Sequence, residues 1–156
     1  MHIRLIAVGD RQPSWVDTAF DAYAARLPRQ WQFRLVEIAT ADRKRFATAG
    51  DAKAAEGKKI LRKVKPAEKL IVLDETGRQF SSREFAAMLD DWQSIGQDLA
   101  FVIGGPDGVS AGVLATSNPC WSLSKLTLPH GLARVLFAEQ VYRSWSLLSG
   151  HPYHRD

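Results

Sequence analysis

Apolar runs and helical patterns alternate from one end of this chain to the other. Residues 3–8 read as a strand, broken off by Gly9 and Asp10. Ser14 then opens a helix, with Asp17 three residues on to complete a capping box. Val16, Phe20, Tyr23, Ala24 and Leu27 fall on one face of that helix, and Pro28 stops it. Residues 33–38 form a second strand. A polar loop over 42–50 leads into an Ala/Lys helix over 51–64, closed by Pro66. Residues 70–73 are wholly apolar, as a strand covered on both faces must be. Ser81 and Glu84 predict another capping box, followed by Phe85, Met88, Leu89, Trp92 and Ile95 at helical spacing and a stop at Gly96. Strands are expected over 99–103 and 122–128, and a long last helix over 131–149. Such alternation predicts an α/β fold, a mostly parallel sheet with helices on both faces, in one domain spanning 1–156.

The last helix breaks the usual amphipathic rule. Leu132, Val135, Leu136, Phe137, Ala138, Val141, Tyr142, Trp145, Leu147 and Leu148 leave apolar side chains nearly all round it. Apolar on every side implies burial on every side. A second copy is the natural cover, because a chain of 156 residues has little core to spare; burial in its own core is the alternative.

Composition adds the compartment and the partner class. Hydrophobic residues at 46% and charged residues at 24% exclude a disordered chain. The first apolar run is too short for a signal peptide or a membrane span. A single cysteine, Cys120, forms no internal disulfide, so a reducing, cytoplasmic setting and no membrane partner are expected. The net charge of +4 is unevenly spread: residues 43–69 hold ten Lys/Arg against three Asp/Glu, leaving 11 basic and 14 acidic residues elsewhere. That segment suits a phosphate backbone, though a solvated helix face has the same composition.

Ligands of parallel sheets collect at the carboxyl ends of the strands. Three segments lie there: 73–77, the glycine-rich 103–108, and 123–130. Gly104, Gly105 and Gly108 let backbone approach a ligand, and Pro106 stiffens the turn. The dinucleotide spacing, the phosphate-binding loop and the serine-hydrolase elbow are all missing. His151 and His154 have one cysteine and no further ligand pair near by, so no metal site is expected.

Ile103, Gly104, Gly105, Pro106, Asp107, Gly108, then Trp121, Ser122, Leu123, Ser124 with Leu128, Pro129, His130, then Tyr142, Arg143, Ser144, Trp145, then His151, Pro152, Tyr153, His154, Arg155 carry a resemblance over essentially the whole length. The chain resembles the large-subunit rRNA pseudouridine N3-methyltransferases, minimal members of the SPOUT class. Asp156 stands where that family ends in Glu. The resemblance implies a trefoil knot over about residues 70–156, a very rare topology. It also implies a homodimer, S-adenosyl-L-methionine as cofactor, and a pseudouridine of 23S rRNA, in the large subunit or whole ribosome, as substrate. Carried onto this chain, the cofactor would meet Leu73, Gly104, Gly105, Leu123, Ser124, Lys125, Leu126, Thr127 and Leu128. The imide N3 must lose a proton, which makes His154 a candidate acceptor, Arg155 an anion stabiliser and Tyr153 a stacking platform. Glu139 and Arg143, at i and i+4, are expected to pair as a structural element. A ribosome-binding factor without catalysis and a SPOUT enzyme acting on tRNA remain the alternatives.

Overall fold

A computed structural model describes residues 1–117 and 120–153. Five strands alternate with five α-helices: β1 His2–Val8, α1 Ser14–Ala24, β2 Gln32–Ile38, α2 Ala49–Lys63, β3 Glu68–Arg78, α3 Ser82–Ser94, β4 Asp98–Ile103, α4 Ala111–Thr116, β5 Cys120–Trp121 and α5 His130–Ser149. The strands form one parallel sheet in the order β2-β1-β4-β3-β5. The expected α/β class holds.

Alternate side chains of each strand feed two cores, as the period of two requires. Ile3, Leu5, Ile71, Leu99 and Phe101 point to the face covered by α1, α3 and α5, where Phe20, Phe85, Leu89 and Phe137 meet them. Ile6, Val8, Val72, Ala100 and Val102 face the other way, against Ile60 of α2 and Val113 of α4. Both faces of the sheet are thus covered, and the central β1 and β4 are almost wholly buried.

Local signals succeeded where nothing distant competed. Ser81 and Glu84 form the reciprocal capping box at the start of α3. By contrast, Ser14 is the first helical residue of α1 and Pro13 stands at the cap, so the Ser14–Asp17 box does not form. The helix still starts on time, since proline's fixed φ suits the turn into it.

Three elements depart from the pattern. β3 runs on through polar residues to Arg78, where its edge pairs with Trp121 after a register shift. The fifth strand is only Cys120–Trp121, and residues 122–128 form an irregular loop. Leu123 and Leu128 imitate a strand's apolar pattern because they pack against the core from a loop. The short α4 had no signal of its own in the periodicity; it packs on α2 through Val113.

Contrary to the expectation of a second copy as its cover, the last helix is covered mainly by its own chain, because α1 and α3 pack on both sides of it. Phe137, Ala138, Val141 and Tyr142 are buried against α1, α3 and the sheet, while Leu132 and Leu148 stay exposed. Its C-terminus closes at Gly150 in the left-handed conformation. Among the described residues, no helix is long and apolar enough to cross a membrane.

Candidate active site

The carboxyl ends of β3 and β4 open into a cleft floored by Leu73 and Ile103 and closed by residues 122–128. Three separate stretches of chain build its walls, so each needs its own anchor.

The first wall is the turn after β4. Gly108 donates its N–H to the Gly105 carbonyl at 3.0 Å, closing a four-residue turn with Pro106 and Asp107 at its centre. Gly108 takes φ +78°, which favours glycine. A Cβ on Gly104 would lie 2.6 Å from the Gly108 carbonyl carbon, so the turn folds tightly back on itself. Gly105 is small for a different reason than cofactor approach. A Cβ there would meet Glu56 Oε2 at 2.7 Å and Val8 at 3.1 Å, on the side away from the cleft.

The second wall is the loop after β5. Ser122 Oγ donates to the Ser124 carbonyl at 2.8 Å, and Leu126 N–H donates to Ser124 Oγ at 2.9 Å. Ser122 N–H is tied to the Arg78 carbonyl at 2.9 Å, and Thr127 Oγ1 reaches Glu75 Oε2 at 3.2 Å. The loop is therefore shaped by its own serines and fastened to the end of β3. Leu73, Gly104, Gly105, Leu123, Ser124, Leu126, Thr127 and Leu128 all line the cleft. Lys125 is exposed and is the one expected cofactor residue outside that lining.

The third wall is the start of α5. His130 lines the cleft with Ala133, and its Nδ1 is buried without a partner among the described residues. Burial, then the Arg134 charge, push the His130 imidazole below its ordinary range, so it is neutral near pH 7. Arg134 is itself fully buried, paired with Glu37 at 2.7 Å and donating to the Gly9 carbonyl. It ties α5 to the carboxyl ends of β1 and β2.

The cleft suits a ligand of mixed polarity. Leucines and backbone supply an apolar lining, and Asp74 and Glu75 supply carboxylates. No group of three His, Cys, Asp or Glu among the described residues is arranged for a metal. Burial raises the Cys120 thiol, with Asp74 adding to the shift, so Cys120 is no thiolate nucleophile.

The tail sits elsewhere. Tyr153 packs its ring edge-on to Tyr142, with centroids 4.7 Å apart, and donates its hydroxyl to Glu139 Oε1 at 3.1 Å. Arg143 pairs with the same carboxylate at 2.6 Å and lies 5.3 Å from the Tyr153 ring. The Glu139–Arg143 pair is thus present and anchors the tail. Burial pushes the Tyr153 phenol upward, so it stays a donor. His154 and Arg155 lie outside the described residues.

Sequence reasoning missed Arg43, Glu56 and Asp107, which meet behind the glycine turn. One signal existed: Glu56 shares a helical face with Ala52, Gly57 and Ile60, all buried, in a lysine-rich helix. A carboxylate on the apolar face needs a partner.

Comparison with known proteins points to one family. Residues 1–154 match the family model described as "Predicted SPOUT methyltransferase". The protein called ribosomal RNA large subunit methyltransferase H in Hydrogenovibrio crunogenus is 47% identical over 156 residues, all of both chains. That of Thioalkalivibrio sulfidiphilus is 47% identical over the same full length. That of Pseudomonas putida is 43% identical over 155 residues, 99% of this chain and 100% of its own. A crystal structure of a methylase family protein from Neisseria gonorrhoeae shares the fold, with a TM-score of 0.53 at 14% identity, over 97% of this chain and 95% of that one.

Proposed function

The chain belongs to the SPOUT methyltransferase family, and on that premise we propose that it methylates N3 of a pseudouridine in 23S rRNA, with S-adenosylmethionine as methyl donor. The observation that carries this reading is the convergence of β3, the glycine turn and the loop over 122–128 on one cleft. When bound, S-adenosylmethionine supplies an electrophilic methyl group on a sulfonium. The work of this chain is to hold that group in line with the nucleophile, which accounts for much of the rate in such transfers. The backbone of Gly104, Leu126 and Leu128 would hold the donor, and a neutral His130 adds no positive charge beside a cation.

The nucleophile's proton is the second requirement. His154 is proposed to accept it and Arg155 to stabilise the developing anion. Tyr153 holds the tail to α5 through Glu139 and Tyr142, and its ring is proposed to meet the target base or its neighbour.

The reading includes a homodimer. Tyr153 lies against Glu139, nine residues along α5 from His130, which is about 14 Å of helix. The described tail, as far as Tyr153, lies outside the cleft lining, and a second copy is proposed to bring its tail to the cleft. The exposed Leu132 and Leu148 supply apolar surface for such a contact. Also within this proposal are one domain over 1–156, with the family's trefoil knot over about residues 70–156, and the assembled large subunit or ribosome as substrate.

Hydrogen exchange on the wild-type protein tests the donor site directly. Adding S-adenosylmethionine should slow exchange in both 104–109 and 122–128. Binding that protects neither segment would refute this assignment of the cleft.

A further inference from the structure

Behind the glycine turn, away from the cleft, one arginine is gripped from three sides. Arg43 stands at the start of a short 3₁₀ turn, Arg43–Arg45, that follows β2. Its Nη1 donates to the Ala41 carbonyl at 2.9 Å and to Glu56 Oε1, and its Nη2 reaches Glu56 Oε2 at 3.3 Å. The other edge of the same guanidinium takes Asp107 Oδ2, from Nη2 at 2.6 Å and Nε at 3.0 Å. All three nitrogens are used, and hydrogen bonds to Glu56 first and Asp107 second hold the guanidinium still further above its usual range.

Glu56 is only 1% exposed and also accepts the Ala41 N–H at 2.8 Å. A carboxylate buried in this way is retained only with its partners in place. It is pressed against the turn, since Gly105 has room for no Cβ beside it. Asp107 forms the tip of the turn but not the cleft lining, whereas Gly105 and Gly108 on either side do line it. The turn is therefore held from its back by side chains and presents its backbone in front.

We propose that Arg43 and Glu56 are positioning residues for the methyl donor, bracketing Asp107 so that the Gly104–Gly108 backbone keeps the shape of the cleft wall. The inference rests on the donor reading of that cleft. It also means that the basic segment is divided. Lys44, Arg45, Lys58, Lys59 and Arg62 face solvent, while Arg43 is turned inward to the donor turn. The basic segment thus lends two residues, Arg43 and Glu56, to the back of the cleft wall.

Lysine at position 43 keeps the charge, but its compact ammonium lacks the planar fork that reaches Glu56, Asp107 and the Ala41 carbonyl at once. Arg43→Lys and Glu56→Gln should each weaken S-adenosylmethionine binding about tenfold in calorimetry, a coupling of ordinary size for a charged network. The KM for the donor should rise in parallel while kcat changes less than about twofold, because the transferring groups are untouched. Asp107→Asn should cause a similar loss, and the Arg43→Lys/Asp107→Asn double variant should be little worse than either. A merely structural ion pair would lower the melting temperature and leave donor affinity of the folded protein at the wild-type value, and that result would overturn the proposal. Wild-type protein that binds no S-adenosylmethionine would instead sink the donor reading. The bracket is then decided by hydrogen exchange of the ligand-free proteins: faster exchange over 104–109 in Arg43→Lys supports it, and equal exchange refutes it.

Discussion

Gly105 shows how a glycine in a cleft-lining turn can be required by what lies behind it. A side chain there collides with Glu56 Oε2 and Val8 before it reaches any ligand. Gly105→Val should therefore cost folding stability, about 1–3 kcal/mol for overpacking at a rigid site, along with donor affinity. Chemical denaturation checks it, and full stability with lost binding would mean that the glycine serves the ligand alone. His130 gives the second residue-scale prediction. Its imidazole is held below the ordinary value of 6.5 by burial and by Arg134, with Glu56 opposing. The unfolded chain takes up its proton first as pH falls, so this histidine contributes stability near pH 7 that is lost below about pH 6.5. Melting temperatures of wild type and His130→Gln, compared from about pH 7.5 to 5, should converge on the acid side. Parallel curves would remove His130 as the source of that sensitivity.

At the scale of elements, what could be read ahead depended on how local the cause was. Ser81 and Glu84 are three residues apart and formed their box as expected, whereas the box at Ser14 yielded to the neighbouring Pro13. Core strands announced themselves because both of their faces are buried. Residues 122–128 misled because leucines that pack from a loop have the same spacing as leucines of a strand. The loops of the cleft were legible from strand ends and glycines. The Arg43–Glu56–Asp107 bracket was not, since its members lie 13 and 64 residues apart and only the folded chain joins them. The basic helix α2 yields the element-scale prediction. Lys58, Lys59 and Arg62 are exposed on it. Charge reversal of all three should weaken ribosome binding and reduce its salt dependence, because each lost phosphate contact removes about one unit from the salt slope. Donor affinity should not change, and an unaltered salt slope would dissociate α2 from RNA.

Seen whole, the molecule has the cleft proposed for the donor at one end of α5, Tyr153 held further along that helix, and exposed lysines and arginines on α2. Phosphate contacts made by the basic α2 would position the enzyme without specifying sequence. Shape of the surrounding particle is then the expected source of selectivity. The most direct test is transfer of label from methyl-labelled S-adenosylmethionine to assembled ribosomes, protein-free 23S rRNA or tRNA, with the labelled nucleotide identified by mass spectrometry. The account predicts label on N3 of a single 23S rRNA pseudouridine, efficiently in ribosomes and hardly at all in free RNA. Label on tRNA, or no transfer to any of the three, would contradict it.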